Sequence, residues 1–214
     1  MFGNLDALIY IIPAILIAIT IHEFSHAFVA NWLGDPTAKL LGRVSPNPLR
    51  HLDPMGTIMI VFTAIAGFGI GWGKPVPVNP YRLRMGGKTG MAVVSAAGPV
   101  SNILTAFLLV LPARLGWISY GYDPLGQVVL YTVAISMGLA VFNLLPLPPL
   151  DGFKVALGLL PMAAARGFAR LEEYGPAVLL LILFGDWTLH LGILSALLSP
   201  LRMVVQGLVF GTLL

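Results

Sequence analysis

Residues 19–31 read ITIHEFSHAFVAN, and they follow an apolar run, 7–21, that carries no charged side chain. At 100° per residue, the four-residue step from His22 to His26 returns to within about 40° of its start. The two imidazoles therefore stack on one helix face, one turn apart, with Glu23 beside them. Zinc held by neutral imidazoles lowers the pKa of its water to about 7, and a neighbouring carboxylate can take the proton during attack on a carbonyl. H-E-x-x-H thus reads as a metallopeptidase helix. Here the helix lies in lipid-grade sequence, where each ionisable group costs at least about 2.5 kcal/mol at mid-membrane. Two satisfied core histidines and an interfacial glutamate would be the structural alternative, but a buried unpaired Glu has no cheap structural role.

The chain's 214 residues are 57% hydrophobic and 10% charged, far from the quarter charged that is usual in soluble domains. An all-α polytopic membrane protein is expected, with about four to six transmembrane helices. The absence of cysteine excludes disulfides and thiolate ligands, leaving His, Asp and Glu to hold a metal. The net charge of +3 comes from Lys and Arg in short loops between apolar runs. These are topology signals, and no nucleic-acid partner is expected. The N-terminus has no basic region before its apolar run, carries Asp6 and shows no small-residue cleavage site, so it reads as a retained helix kinked at Pro13.

After Trp32, Pro36, Pro46, Pro48 and Pro54 limit the chain to a loop with a short strand at most. His51 and Asp53 are candidate extra ligands, but solvated or capping roles are favoured, and Asp53 before Pro54 resembles a helix start. Residues 55–73 are uncharged and long enough to cross a bilayer. Basic residues flank them on both sides, however, and Gly67, Gly69, Gly71 and Gly73 alternate. A re-entrant or short β element, shielded by protein, is favoured over a full crossing. The run 91–113 opens with small residues that allow close helix approach, Ser95 to Gly98 and Ser101, and Asn102 should face protein. G-P-x-x-N alone is more often a packing signal than a catalytic one.

A short aromatic loop, 114–124, leads to the run 125–145, which ends in FNLLPLPPLDG. Pro146, Pro148 and Pro149 unwind the chain at membrane depth, a situation tolerated around a functional cavity. Asp151 there is either a helix cap or a third metal ligand. A cap does not explain the prolines and Asn143 beside it, so the ligand is favoured. Two His and one carboxylate leave the fourth zinc position open, as in catalytic sites.

HEFSH at 22–26, AGPVSN at 97–102 and NLLPLPPLDG at 143–152 closely resemble the site-2 protease family of intramembrane zinc metalloproteases. GWGKPVPVNP at 71–80 and DPTAK at 35–39 are similar to its small single-domain branch, which has no PDZ or CBS domain. The resemblance implies that His22, His26 and Asp151 bind one zinc ion and that Glu23 is the general base. It further implies that Asn143 lies near the metal, holding substrate backbone or a developing oxyanion, with Asn102 in support. The implied substrate is a transmembrane protein cut near the cytoplasmic end of its span. The implied setting is the bilayer of the cell membrane, with the active site towards the cytoplasm.

One membrane-embedded peptidase domain is expected over 1–214, with a catalytic core at about 8–160 and C-terminal helices at 176–214. Residues 161–175 read as an interfacial segment, and Asp186 with His190 as a loop or interface pair, although they are the one rival metal pair. The alternative function is an ion or metal transporter with buried His, Glu and Asp. Transporters often show internal repeats, and neither HEFSH nor LPPLDG recurs. A zinc peptidase with a downstream Glu ligand is a third possibility, but only Glu172 and Glu173 follow Glu23.

Overall fold

A computed structural model describes residues 7–66, 71–121 and 123–211. Among them the regular structure is helical, without a strand. The long helices are α1 (Leu8–Trp32), α4 (Gly87–Arg114), α5 (Pro124–Asn143), α8 (Leu171–Leu189) and α9 (Ile193–Phe210), joined by the shorter α2 (Thr37–Leu40), α3 (Pro54–Ala66), α6 (Asp151–Leu159) and α7 (Met162–Ala169). Four of these, α1, α4, α5 and α9, are long and apolar enough to cross a membrane, in agreement with the all-α polytopic expectation.

Helix α4 is the hub, packing on α1, α5, α6 and α9. Ala106, Val110, Val133, Met137, Val141, Val205 and Val209 form the core between α4, α5 and α9. Ala30, Leu33, Leu83 and Val94 join α1 to α4. On the outside, Ile12, Ile17, Phe28, Leu104, Leu108 and Leu130 are exposed. An apolar exterior of this kind suits lipid, which solvates these side chains as readily as a protein core does.

The two ends of the segment expected to re-enter lie together, as that expectation requires. Helix α3 has 13 residues, about 20 Å of rise, short of the roughly 30 Å hydrocarbon core. Beyond its tip the chain returns to its start. Leu52 and Gly73 form an isolated antiparallel bridge, and Lys74 N donates to His51 O at 2.7 Å. The Arg43 guanidinium closes the base on the Lys74 carbonyl. The glycines allow this return: a Cβ on Gly56 would strike the Trp72 carbonyl, and one on Gly73 would lie 3.1 Å from Glu23 Oε1. Gly67 and Gly69 lie outside the described residues.

Three details of the sequence reading change. Residues 34–53 contain no strand. They hold α2 and a 3-10 turn, Pro48–Arg50, capped by the Asn47 side chain, and contribute only the Leu52 bridge. His51 is not solvated, although it does close that turn as its C-terminal cap, its N donating to Pro48 O at 2.9 Å. It is fully buried, and its ring is bonded through Nε2 to Ser45 O at 2.7 Å. The last apolar run starts earlier than Pro176, since α8 begins at Leu171 and takes Glu172 and Glu173 into its first turn. Asp53 caps α3 as expected, accepting from Gly56 N at 2.8 Å.

Asp35 ties the extended segment 71–79 to the end of α1. Its buried carboxylate accepts from Thr37 N and Thr37 Oγ1 and, across the loops, from Asn79 N at 2.6 Å. Burial pushes the carboxyl's pKa up, but those hydrogen bonds and the nearby Arg82 charge outweigh it and hold the pKa below the ordinary value.

Candidate metal centre

His22 lies ten residues before the end of α1, about 15 Å below its Trp32 end at 1.5 Å per residue. Asp151 is the first residue of α6, and its side chain caps nothing. The chain that stops at the prolines delivers this carboxylate to α1. Asp151 Oδ2 lies 3.0 Å from His22 Nε2 and 3.2 Å from His26 Nε2. The two rings meet edge to face with centroids 4.7 Å apart. Ligand atoms of the three residues fall within 4.8 Å of one another, the one such His, Asp or Glu group of three found among the described residues.

The other ring nitrogens decide what this cluster can hold. His22 Nδ1 meets Asn102 Oδ1 at 2.9 Å, and Asn102 Nδ2 donates to Ala18 O at 3.2 Å, which fixes the amide's orientation. His26 Nδ1 meets Val94 O at 2.7 Å. Both partners are acceptors, so each Nδ1 carries the hydrogen and each Nε2 presents a lone pair. Both lone pairs face one carboxylate oxygen. Three acceptors turned on one point repel unless a proton or a metal cation lies between them, and their partners orient them as ligand-supporting groups do. The donor set fits zinc, with two imidazoles, one carboxylate and room for a fourth ligand.

Close packing holds the rings in place. Gly98 faces both imidazoles, and a Cβ there would lie 2.7 Å from His22 Cε1 and collide with the His26 ring. The small residues at the start of the α4 apolar run therefore serve the histidines. Glu23 borders the same cavity, of about 1260 Å³, with Trp72, Val76, Asn143 and Lys154. Among the described residues Glu23 has no hydrogen-bond partner. Asn143 gives one amide hydrogen to Leu139 O of its own helix at 3.0 Å, which leaves the second free.

Asp186 and His190 belong to no three-residue ligand group among the described residues. The Asp186 carboxylate accepts from Ile193 N at 2.8 Å and Leu194 N at 2.6 Å, capping the start of α9, while His190 is left-handed at φ 53° at the end of α8. Glu172 and Glu173 are exposed in the first turn of α8. The sequence reading missed the Val94 carbonyl and Lys154, and it took Gly98 for close helix approach without foreseeing that the histidine rings are what it meets. Only Gly98, inside the quoted AGPVSN, had a signal to find it by.

A polytopic helical fold around a buried two-histidine, one-carboxylate centre with an adjacent glutamate defines a membrane-embedded zinc metallopeptidase. The comparisons agree. The profile of peptidase family M50 matches residues 122–185. A Bacillus subtilis (strain 168) protein, YwhC, whose name describes it as a zinc metalloprotease, is 39% identical over 188 residues, covering 85% of this chain and 83% of that protein. The similarly named Rip2 of Mycobacterium tuberculosis H37Rv is 31% identical over 85% of this chain and 69% of its own. Rip2 of Mycolicibacterium smegmatis is 31% identical over 82% and 66%. No solved structure matches the chain. The chain belongs to peptidase family M50, the site-2 protease family, and is an intramembrane zinc metalloprotease acting on membrane proteins in a lipid setting. Nothing found supports transport.

Proposed function

We propose that His22, His26 and Asp151 hold the zinc, that Glu23 is the general base, and that the centre opens towards the cytoplasm. The observation that carries the reading is the convergence of both Nε2 atoms on Asp151 Oδ2, with each Nδ1 committed elsewhere. When bound, the metal supplies a Lewis acid and a water acidic enough to ionise near pH 7. Glu23, on the cavity wall, takes the proton of the attacking water and returns it to the departing amine. Asn143 offers its remaining amide hydrogen to a substrate carbonyl or the developing oxyanion.

A helical substrate must unwind before attack, because its carbonyls are otherwise engaged within the helix. Trp72, Pro75, Val76 and Val78, on the extended segment after the hairpin, line the same cavity. A freed substrate backbone can pair with that segment by strand addition. Orientation follows from charge: Lys39, Arg50, Lys74, Arg82 and Arg84 lie in the connection between α1 and α4, and an excess of Lys and Arg marks the cytoplasmic side.

Glu23→Gln and Asp151→Ala test the assignment together. Glu23→Gln should retain one zinc per chain and lose cleavage of a single-span membrane substrate, and Asp151→Ala should lose zinc itself. Zinc content in Asp151→Ala equal to that of the wild type removes Asp151 from the ligand set.

A further inference from the structure

A second cavity, of about 390 Å³, opens where the first turn of α4 meets α6 and α7. Lys88, Lys154 and Arg166 line it against a single carboxylate, Glu172. The Lys88 ammonium is fixed on the Leu160 carbonyl. Lys154 and Arg166 make no hydrogen bond or ion pair among the described residues, although Lys154 is half-buried. A half-buried cation without a partner is costly unless an anion completes it.

The floor and rim are apolar. Met91, Leu157, Ala165 and the exposed Met162 line the cleft, and Leu159 and Leu171, close in sequence to the lining residues Leu157 and Glu172, are exposed too. Cations over an apolar floor, next to exposed leucine and methionine at the end of a spanning helix, match a phospholipid: phosphate on the charges, acyl chains on the rim. A soluble anion has no use for that rim. A substrate's own flank is a poor occupant, since flanks on this basic side of the membrane carry excess Lys and Arg.

We propose that this cleft binds the phosphate headgroup of an anionic phospholipid. Lys154 and Met91 line both this cleft and the cavity of the metal centre, so a bound lipid would form part of the wall between them.

The test is lipid binding to the purified full chain in neutral detergent, read by native mass spectrometry during titration with phosphatidylglycerol or phosphatidylcholine. The wild type should retain one phosphatidylglycerol in preference to phosphatidylcholine. Lys154→Gln with Arg166→Gln should weaken phosphatidylglycerol about thirtyfold, at about fivefold per cation, and leave phosphatidylcholine unchanged. Glu172→Gln, on an exposed helix turn, should tighten phosphatidylglycerol several-fold, which keeps the test open if the double variant misfolds. Unchanged phosphatidylglycerol binding in every folded variant overturns the proposal. So does displacement of the lipid by millimolar inorganic phosphate, which marks a free-anion site, or by an acidic peptide.

Discussion

Gly98→Ala sets two physical effects against each other. Helix propensity alone says the substitution should help, because Ala is favoured over Gly by about 1 kcal/mol inside a helix. The packing says the reverse. The new Cβ would lie 2.6 Å from His26 Cε1 and 2.7 Å from His22 Cε1, where carbon atoms ordinarily sit about 3.5–4.0 Å apart. Either α4 or both rings must retreat by about 1 Å, and overpacking of that kind costs about 1–3 kcal/mol. Metal–ligand distances tolerate only about 0.2 Å, so a moved ring ligates poorly and zinc affinity should fall about 10–100-fold. Dialysis against graded zinc buffers, followed by metal analysis of the purified protein, measures this directly, with the thermal midpoint in detergent alongside. A Gly98→Ala protein with wild-type zinc affinity and a raised midpoint would refute the reasoning, because propensity would then have outweighed the contact.

Asn102→Ala should weaken zinc binding by about 10–100-fold, since His22 Nδ1 loses its acceptor and Ala18 O a donor; metal titration checks it, and Asn102→Asp, which keeps an acceptor, should lose less. Gly73→Ala should lower the cleavage rate while leaving zinc content near one per chain, because its Cβ crowds Glu23 and not the ligands. Asp35, with its folded pKa below the ordinary carboxylate value, contributes stability that is complete above the unfolded pKa of about 4 and fades as pH falls through the folded value. The thermal midpoint of the wild type should therefore drop on acidification below about pH 4. Asp35→Asn should start lower at neutral pH, with a shallower fall.

Much of the centre could be read from the chain because its chemistry is local. His22, Glu23 and His26 share one turn of helix, and the prolines before Asp151 announce broken structure where a carboxylate is expensive. The return of the 55–73 segment was only favoured over a full crossing, since basic residues on both flanks and alternating glycines argue for it while the length of the apolar stretch allows either. What could not be read depends on which distant atoms meet. Nothing in the series Val93, Val94, Ser95 says that one carbonyl will accept from His26. His51 looked like a solvated loop residue because nothing in the sequence around it says that its ring will be buried against the Ser45 carbonyl. The start of α8 was misplaced because Pro176 resembles a boundary, whereas a proline near the beginning of a helix has few backbone bonds to break.

The joining of α1 to α6 by His22 and Asp151, 129 residues apart, has a mechanical consequence. This chain has no cysteine and so cannot staple remote segments through sulfur. An ion held, as proposed, by His22, His26 and Asp151 would do that work, closing a loop of more than half the sequence, and entropy lost by the unfolded chain grows with the length so enclosed. On that assignment, removing the metal should loosen the bundle at the junction of α6 with α1, because the ion that serves the chemistry would also fasten the fold.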